Sequence, residues 1–191
     1  MTKKNDDLVP VKEFITASPQ NLEIATAIYE QYTAAREQIL KNFFERLGKR
    51  LMADLPGWGY EYGPPFFTDQ YGVFRIFKDS WKRRYEFVLE AYRWGERMNW
   101  GVWRREESLN GKPRSPEILA AVKKAFPAAK SRVYYEAEIP ITSPATDWQK
   151  PDVLWRLHSD REFLREVEGL FKTLIEIAEG PVDKCVKSLR N

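Results

Sequence analysis

The sequence has one cysteine, Cys185, and one histidine, His158, in 191 residues. A single cysteine excludes an intrachain disulfide framework, a cysteine-based zinc site and a C-x-x-C redox pair, and it favours a reducing compartment. No apolar run approaches the roughly 20 residues that a membrane helix needs, and the polar N-terminus carries no export signal. We therefore expect a cytoplasmic protein that makes no contact with a membrane.

Signatures of catalysis and of cofactor binding are also missing. The sequence contains no glycine-rich phosphate loop, no histidine-glutamate zinc motif and no nucleophile elbow. Asp69 with Glu86 or Glu90 is the only acidic pair on neighbouring predicted strands, and neither glutamate is followed by a lysine two positions later. We expect no metal and no cofactor, and a small metal-dependent hydrolase is an alternative without a motif to support it.

The composition is that of an ordinary globular protein. Hydrophobic residues make up 43% of the chain and charged residues 31%, and the net charge is +3. A chain of this length is typical of one domain with one core. So small a positive surplus is compatible with nucleic-acid binding but does not by itself indicate it.

Two serine-proline pairs and one capping site predict where helices begin. Ser18-Pro19 opens a long helix whose apolar residues recur every three or four positions from Leu22 to Leu51, which predicts a core face along its whole length. A short helix follows Ser115-Pro116, and a helix capped by Ser159 or Asp160 is expected to end at Gly180-Pro181.

Between these helices the hydrophobic period changes to two, which is typical of strands. The pattern predicts an antiparallel meander of three or four strands, roughly over residues 64–69, 71–79, 83–94 and 98–105, and a further strand over 132–141. The predicted fold class is α+β, with the long N-terminal helix packed on the meander. We expect a flexible segment at 1–17, a single domain at 18–180 and a C-terminal tail at 181–191.

The aromatic content is concentrated in the predicted meander. More than half of the aromatic residues of the chain lie between residues 58 and 103, where arginine and lysine residues alternate with them. Such a sheet can stack unpaired bases on its rings while its cations contact phosphates, although aromatic residues also favour strands because they pack well in a core. The candidate residues for binding nucleic acid or a protein partner are Arg75, Lys82, Arg83, Arg84, Tyr92, Arg93, Trp94, Trp100 and Trp103.

Several of these segments resemble a known family. The run from Pro64 to Phe67, the strands 71–78 and 85–90, and Asp147-Trp148 ahead of a closing amphipathic helix are similar to the C-terminal accessory module of bacterial and prophage proteins. Those proteins carry a PD-(D/E)XK nuclease-like domain ahead of this module. The resemblance covers about residues 25–178 and implies an accessory or recognition role; it assigns no catalytic residue to this chain, because the family's catalytic residues lie in the nuclease-like domain.

Two functional hypotheses follow, besides the hydrolase. The first is a non-catalytic binding module that contacts nucleic acid or protein through the aromatic and basic sheet region. The second is a protein-interaction or regulatory subunit whose exposed aromatic surface forms an oligomer or a partner interface. A homo-oligomer is compatible with the sequence in both cases.

Overall fold

A computed structural model of the chain describes residues 8–67, 69–92, 97–105 and 114–189. The fold is α+β, as the sequence predicted, with an antiparallel sheet and helices before and after it. The helices are α1 (Leu8–Thr16), α2 (Pro19–Ala53), α3 (Pro116–Ala125), α4 (Pro151–Ser159) and α5 (Arg161–Ser188). The strands are β1 (Trp58–Tyr62), β2 (Tyr71–Lys78), β3 (Tyr85–Tyr92), β4 (Arg97–Arg104), β5 (Lys130–Arg132) and β6 (Tyr135–Pro140).

The six strands form one sheet in the order β1-β2-β3-β4-β6-β5, and every neighbouring pair is antiparallel. Side chains on each strand alternate between an inner face, which the helices cover, and an outer face. Phe74 on β2 lies opposite Leu89 on β3, which lies opposite Trp100 on β4, and all three side chains are buried. The inner face is therefore a row of large apolar groups.

All three predicted helix starts are confirmed, two of them by capping contacts; α3 begins at Pro116 after Ser115, whose side chain makes no capping hydrogen bond. The amide of Asn21 donates to Ser18 Oγ at 3.1 Å, so Ser18 caps α2. The amide of Glu162 donates to Asp160 Oδ1 at 2.8 Å, which identifies Asp160 as the cap of α5. Helix α2 ends at Ala53, ahead of Pro56, as the proline rule predicts.

Two strand predictions were wrong. The first strand lies at Trp58–Tyr62 and not over residues 64–69, because two consecutive prolines follow it and proline has no N–H for a sheet ladder. The predicted strand over 132–141 is two strands, β5 and β6, joined by a turn at Val133 and Tyr134. The turn exposes both of those side chains to solvent.

The expected end of the last helix at Gly180-Pro181 was also wrong. Helix α5 continues through Pro181 to Ser188, and Val182 and Val186 on this last part are buried. An internal proline costs a helix roughly 3 kcal/mol, so the burial of apolar side chains on both sides of it must outweigh the lost hydrogen bond. Residues 181–188, expected to be part of a tail, belong to the helical core.

The chain divides into two compact units, residues 1–36 and residues 37–191. The first unit contains α1, within the segment expected to be flexible, and the beginning of α2. Its described side chains from Pro10 to Arg36 are all exposed or half-buried, and Tyr29 is 84% exposed. A core face along the whole of α2 was therefore a wrong prediction, because buried side chains begin only at Leu40.

The second unit contains the core, which is largely aromatic. Phe44 on α2 stacks on Phe74 with ring centroids 4.7 Å apart, and Phe171 on α5 meets the edge of Phe74 at 5.5 Å. Phe126, just after α3, packs against Trp100 at 4.9 Å. Parts of α2, α3 and α5 thus cover the same face of the sheet. No helix in the described part of the chain has the length and apolar content needed to span a membrane.

Gly101 in β4 gives a direct test of the sheet geometry. Its φ is +148°, and a β-carbon built there would lie 1.9 Å from the carbonyl oxygen of Ala137 on β6. We expect Gly101→Ala to lower the free energy of unfolding by about 3 kcal/mol, because backbone atoms must move apart. Urea unfolding followed by circular dichroism measures this change.

Gly169 is the matched control for this prediction. It lies on α5, where an added β-carbon meets nothing within 4 Å. Gly169→Ala should raise the stability by up to about 1 kcal/mol, since alanine favours a helix more than glycine does. Equal effects of the two substitutions would contradict the close approach of β4 to β6.

Candidate binding cleft on the outer sheet face

The outer face of the sheet carries polar and aromatic side chains in rows that cross the strands. Tyr71, Tyr92 and Arg97 form one row, since Tyr92 is the direct partner of the other two residues in the register. The next row contains Glu90 on β3 directly opposite Asn99 on β4. Directly paired residues share a face, with β-carbons about 5 Å apart, so these side chains are neighbours.

These rows form the floor of an open cleft of about 810 Å³. Strand β5, its turn into β6 and the chain before β5 form one wall. The lining residues are Tyr71, Glu90, Tyr92, Arg97, Asn99, Ala128, Lys130, Arg132, Val133, Tyr134, Tyr135, Glu138 and Pro140. A cleft of this volume, lined by aromatic side chains together with charged and amide groups, is large enough to hold a ligand.

Four tyrosines supply the aromatic surface of this cleft. Tyr71 is 47% exposed and Tyr134 is 57% exposed, which is unusual for side chains of this size. The rings of Tyr71 and Tyr92 lie 5.5 Å apart and are tilted by 54°, so they are neighbours that present two differently oriented aromatic faces. Flat rings that remain open to solvent can stack on the flat face of a ligand.

Three basic residues lie at the edge of the cleft. Arg97 and Lys130 are exposed, and within the described ranges neither forms a salt bridge. Arg132 Nε lies 3.0 Å from Glu138 Oε2, but the arginine side chain remains 63% exposed. The edge therefore offers positive charge to a ligand that carries negative charge.

Glu90 is the acidic group on the floor. The hydroxyl of Tyr135 donates to Glu90 Oε2 at 2.6 Å, and in the described part of the chain this is the carboxylate's one hydrogen bond. Burial raises the pKa of Glu90, with a further increase from Glu138, while the Tyr135 hydrogen bond and the charge of Arg75 act in the opposite direction. Oε1 of Glu90 and the amide of Asn99 are available to a ligand.

A second acidic group on the outer face, Glu86, is neutralised by three arginines. Its buried carboxylate lies 2.9 Å from Arg83 Nε, 3.4 Å from Arg105 Nη2 and 3.6 Å from Arg75 Nη1. Burial raises the pKa of Glu86 in spite of these cations. Arg83 also lies over the ring of Phe77, with its guanidinium carbon 3.7 Å from the ring centroid. This cluster is an internal ion network that holds β2, β3 and β4 together.

The structure places the predicted binding residues in different locations. Tyr92 lines the cleft, and Arg75 and Trp103 border a small cavity of about 20 Å³ that shares Glu90 and Tyr135 with it. Trp100 is 2% exposed on the inner face, where it packs against Phe126, so it cannot contact a ligand on the outer face. Trp100 faces inwards because it pairs directly with Leu89 on β3, whose side chain lies on the inner face.

The basic run Lys82-Arg83-Arg84 lies in the turn between β2 and β3, outside the cleft lining. Lys82 and Arg83 have φ values of +52° and +60°, and Lys82 is exposed. Arg83 is committed to Glu86 and Glu61, and Arg84 is half-buried. The remaining candidates, Arg93 and Trp94, lie outside the described residues.

Most of the cleft residues were not among the sequence candidates. The missed polar and aromatic residues are Tyr71, Glu90, Arg97, Asn99, Lys130, Arg132, Tyr134, Tyr135 and Glu138. The alternation in β3 was a usable signal, because Glu86 and Glu90 share one side of a strand whose other side is apolar. The contribution of β5 and β6 had no such signal, since it depends on a turn in the middle of one predicted strand.

The acids considered for a hydrolase have separate partners. Asp69 Oδ1 accepts from the amide of Tyr71 at 2.8 Å, and Glu86 and Glu90 lie four residues, roughly 13 Å, apart along β3. Among the described residues no group of three histidine, cysteine, aspartate or glutamate side chains could hold a metal ion. His158 is exposed on α4.

Comparison with known proteins gives no family for this chain: no family model, no curated protein and no solved structure matches it.

The raised pKa of Glu90 predicts how stability depends on pH. A carboxyl whose pKa is higher in the folded state than in the unfolded chain lowers the free energy of unfolding at pH values where it is ionised in both states. We expect Glu90→Gln, which keeps an oxygen for the Tyr135 hydroxyl, to be more stable than the wild type near neutral pH. This difference should shrink as the pH falls towards 4.5, the ordinary pKa of a glutamate.

Urea unfolding of both proteins at a series of pH values measures the difference. A difference in stability that does not change with pH would contradict the burial of this carboxylate.

Proposed function

We propose that this chain is a non-catalytic binding module that holds a single-stranded nucleic acid in the cleft on the outer face of its sheet. Tyr71, Tyr92 and Tyr134 stack on bases, and Arg97, Lys130 and Arg132 contact phosphates. By its resemblance to nuclease accessory modules, we assign it to a bacterial or phage-related system. The single cysteine favours the cytoplasm as its location.

One observation carries this proposal: exposed tyrosines and exposed cations line the same open cleft. Base stacking needs flat rings on an accessible surface, and phosphate binding needs positive charge beside them. A double helix presents its bases edge-on and paired, so rings on a sheet favour unpaired bases instead. On the outer face as described, basic residues outnumber acidic ones, which agrees with an anionic ligand.

Fluorescence anisotropy with labelled oligonucleotides of about 12 nucleotides tests the proposal, since single-strand sites commonly cover 4–16 nucleotides. Affinity should fall with salt concentration, with a slope of about −0.7 in log K against log [salt] for each phosphate contacted. The double variant Arg97→Ala/Lys130→Ala should reduce that slope by about 1.4.

Lys123→Ala/Lys124→Ala is the matched control, because it removes the same charge from exposed positions on α3, outside the cleft lining. It should leave the slope within about 0.3 of the wild type. No binding by the wild type at low salt would reject the proposal.

The same titration tests the tyrosines. Tyr71→Ala/Tyr92→Ala should weaken binding by at least about 5-fold to 150-fold at constant salt slope, because the loss of one stacked base costs roughly 1–3 kcal/mol. Tyr29→Ala, at the most exposed tyrosine of the first unit, should have no effect. An equal loss of affinity in Tyr71→Ala/Tyr92→Ala and in Tyr29→Ala would show that the tyrosines of the cleft have no special role.

A second candidate function, protein interaction, is favoured by a separate observation in the first unit. Leu22, Ile28 and Tyr29 on α2 are large apolar or aromatic side chains that are more than half exposed. Such a surface is typical of helices that bind a protein. If no oligonucleotide binds at low salt, protein interaction replaces nucleic-acid binding as the proposed function.

A further inference from the structure

We infer that the cleft distinguishes between bases, and that Glu90 and Asn99 together recognise the edge of a cytosine or an adenine. This inference rests on the proposed function, because it concerns the same cleft, but it goes further by identifying the preferred ligand. A platform of tyrosines with basic neighbours would bind any single strand with little preference. The paired polar groups on the floor add a pattern that only some bases match.

Glu90 and Asn99 lie beside each other on the floor. They are direct partners in the register of β3 and β4, and both line the cleft beside Tyr71 and Tyr92. Tyr92 lies two residues from Glu90 on the same face of β3, so a base stacked on Tyr92 would lie beside both polar groups. The Tyr135 hydroxyl, at 2.6 Å from Oε2, holds the Glu90 carboxylate in place and leaves Oε1 as an acceptor.

The polar groups of the floor match one class of base. Ionised Glu90 can only accept hydrogen bonds, and the amide of Asn99 can both donate and accept. Cytosine offers an exocyclic amine beside the ring acceptor N3, and adenine offers an amine beside N1. The amine would donate to Glu90 Oε1, while the ring nitrogen would accept from Asn99 Nδ2.

Uracil fits the same floor poorly. It has a carbonyl oxygen, O4, where cytosine has the amine, so the oxygen would face the carboxylate of Glu90 with no proton between them. A uracil can donate N3–H to Glu90 and accept at O4 from Asn99 only if it shifts from the position that cytosine takes in the cleft. In the cytosine position, the repulsion between O4 and the carboxylate disfavours uracil, whereas the phosphate contacts are equal for the two pyrimidines.

Oligo(dC) and oligo(dU) of equal length provide the test, because they have the same backbone and rings of the same size. Anisotropy titrations at one salt concentration should show about tenfold tighter binding of oligo(dC) by the wild type. Glu90→Gln should bring the ratio of the two affinities close to 1, because a glutamine amide can donate to O4 of uracil as well as accept from the amine.

Glu138→Gln is the matched control. Glu138 lines the same cleft and carries the same charge, but its register partners are Gly101 and Lys130 and not Asn99. The control should strengthen the binding of both oligonucleotides equally and leave their ratio unchanged. The urea unfolding described for Glu90→Gln establishes that this variant is folded.

The outcomes separate the inference from the proposed function. A tenfold preference that Glu90→Gln removes and Glu138→Gln keeps would support the inference. Equal affinity of the wild type for both oligonucleotides, or equal effects of the two substitutions on the ratio, would overturn the inference and leave the proposed function standing. If neither oligo(dC) nor oligo(dU) binds at low salt, the inference and the proposed function are both overturned.

Discussion

The packing of Phe44 joins the helices to the sheet, and the rest of the second unit depends on it. Its ring contacts Phe74 on β2 at 4.7 Å, Tyr62 on β1 at 5.0 Å and Trp148, ahead of α4, at 6.0 Å. One side chain thus connects α2, two strands and the chain that leads to the last helices. Such ring contacts contribute beyond the burial of apolar area, at roughly 0.5–1.5 kcal/mol for each pair.

The aromatic core lies on the inner face, and the outer face carries polar and half-exposed side chains beside buried ones such as Val88. This difference between the faces is visible in β3, where Phe87 and Leu89 point inwards and Glu86 and Glu90 point outwards. Glu86 is enclosed by arginines and contributes to structure. Glu90, four residues further along the same face of β3, has one hydrogen bond within the described part of the chain and lies in the cleft. Two glutamates of one strand thus have different roles, which are set by their neighbours on β2, β4 and β6.

The sequence predicted those features of the fold that depend on local chemistry. The capping serine and proline of α2, the cap of α5 and the change of hydrophobic period at the meander were correct because each is determined by a few adjacent residues. The helix through Pro181 was missed because distant apolar partners outweigh the local effect of proline. The apolar period of α2 before Arg36 predicted a core face, although those side chains are not buried.

The cleft was only partly predictable for the same reason. The aromatic and basic content of the sheet was apparent, and Tyr92 was found. Which aromatic residues face outwards depends on strand register, and register places Trp100 in the core and Tyr71 beside Tyr92. The wall built by Lys130, Arg132 and Tyr134 depends on a turn that no local signal marked.

The most direct test of a nucleic-acid site on the outer face is to identify the residues that contact the nucleic acid in the complex. Zero-length ultraviolet cross-linking of oligo(dC) to the full chain, followed by mass spectrometry of the peptides, provides this information. We predict cross-links at Tyr71, Tyr92 or Tyr134, all of which line the cleft. Cross-links confined to Tyr29 and Tyr32, on the exposed part of α2, would contradict the account.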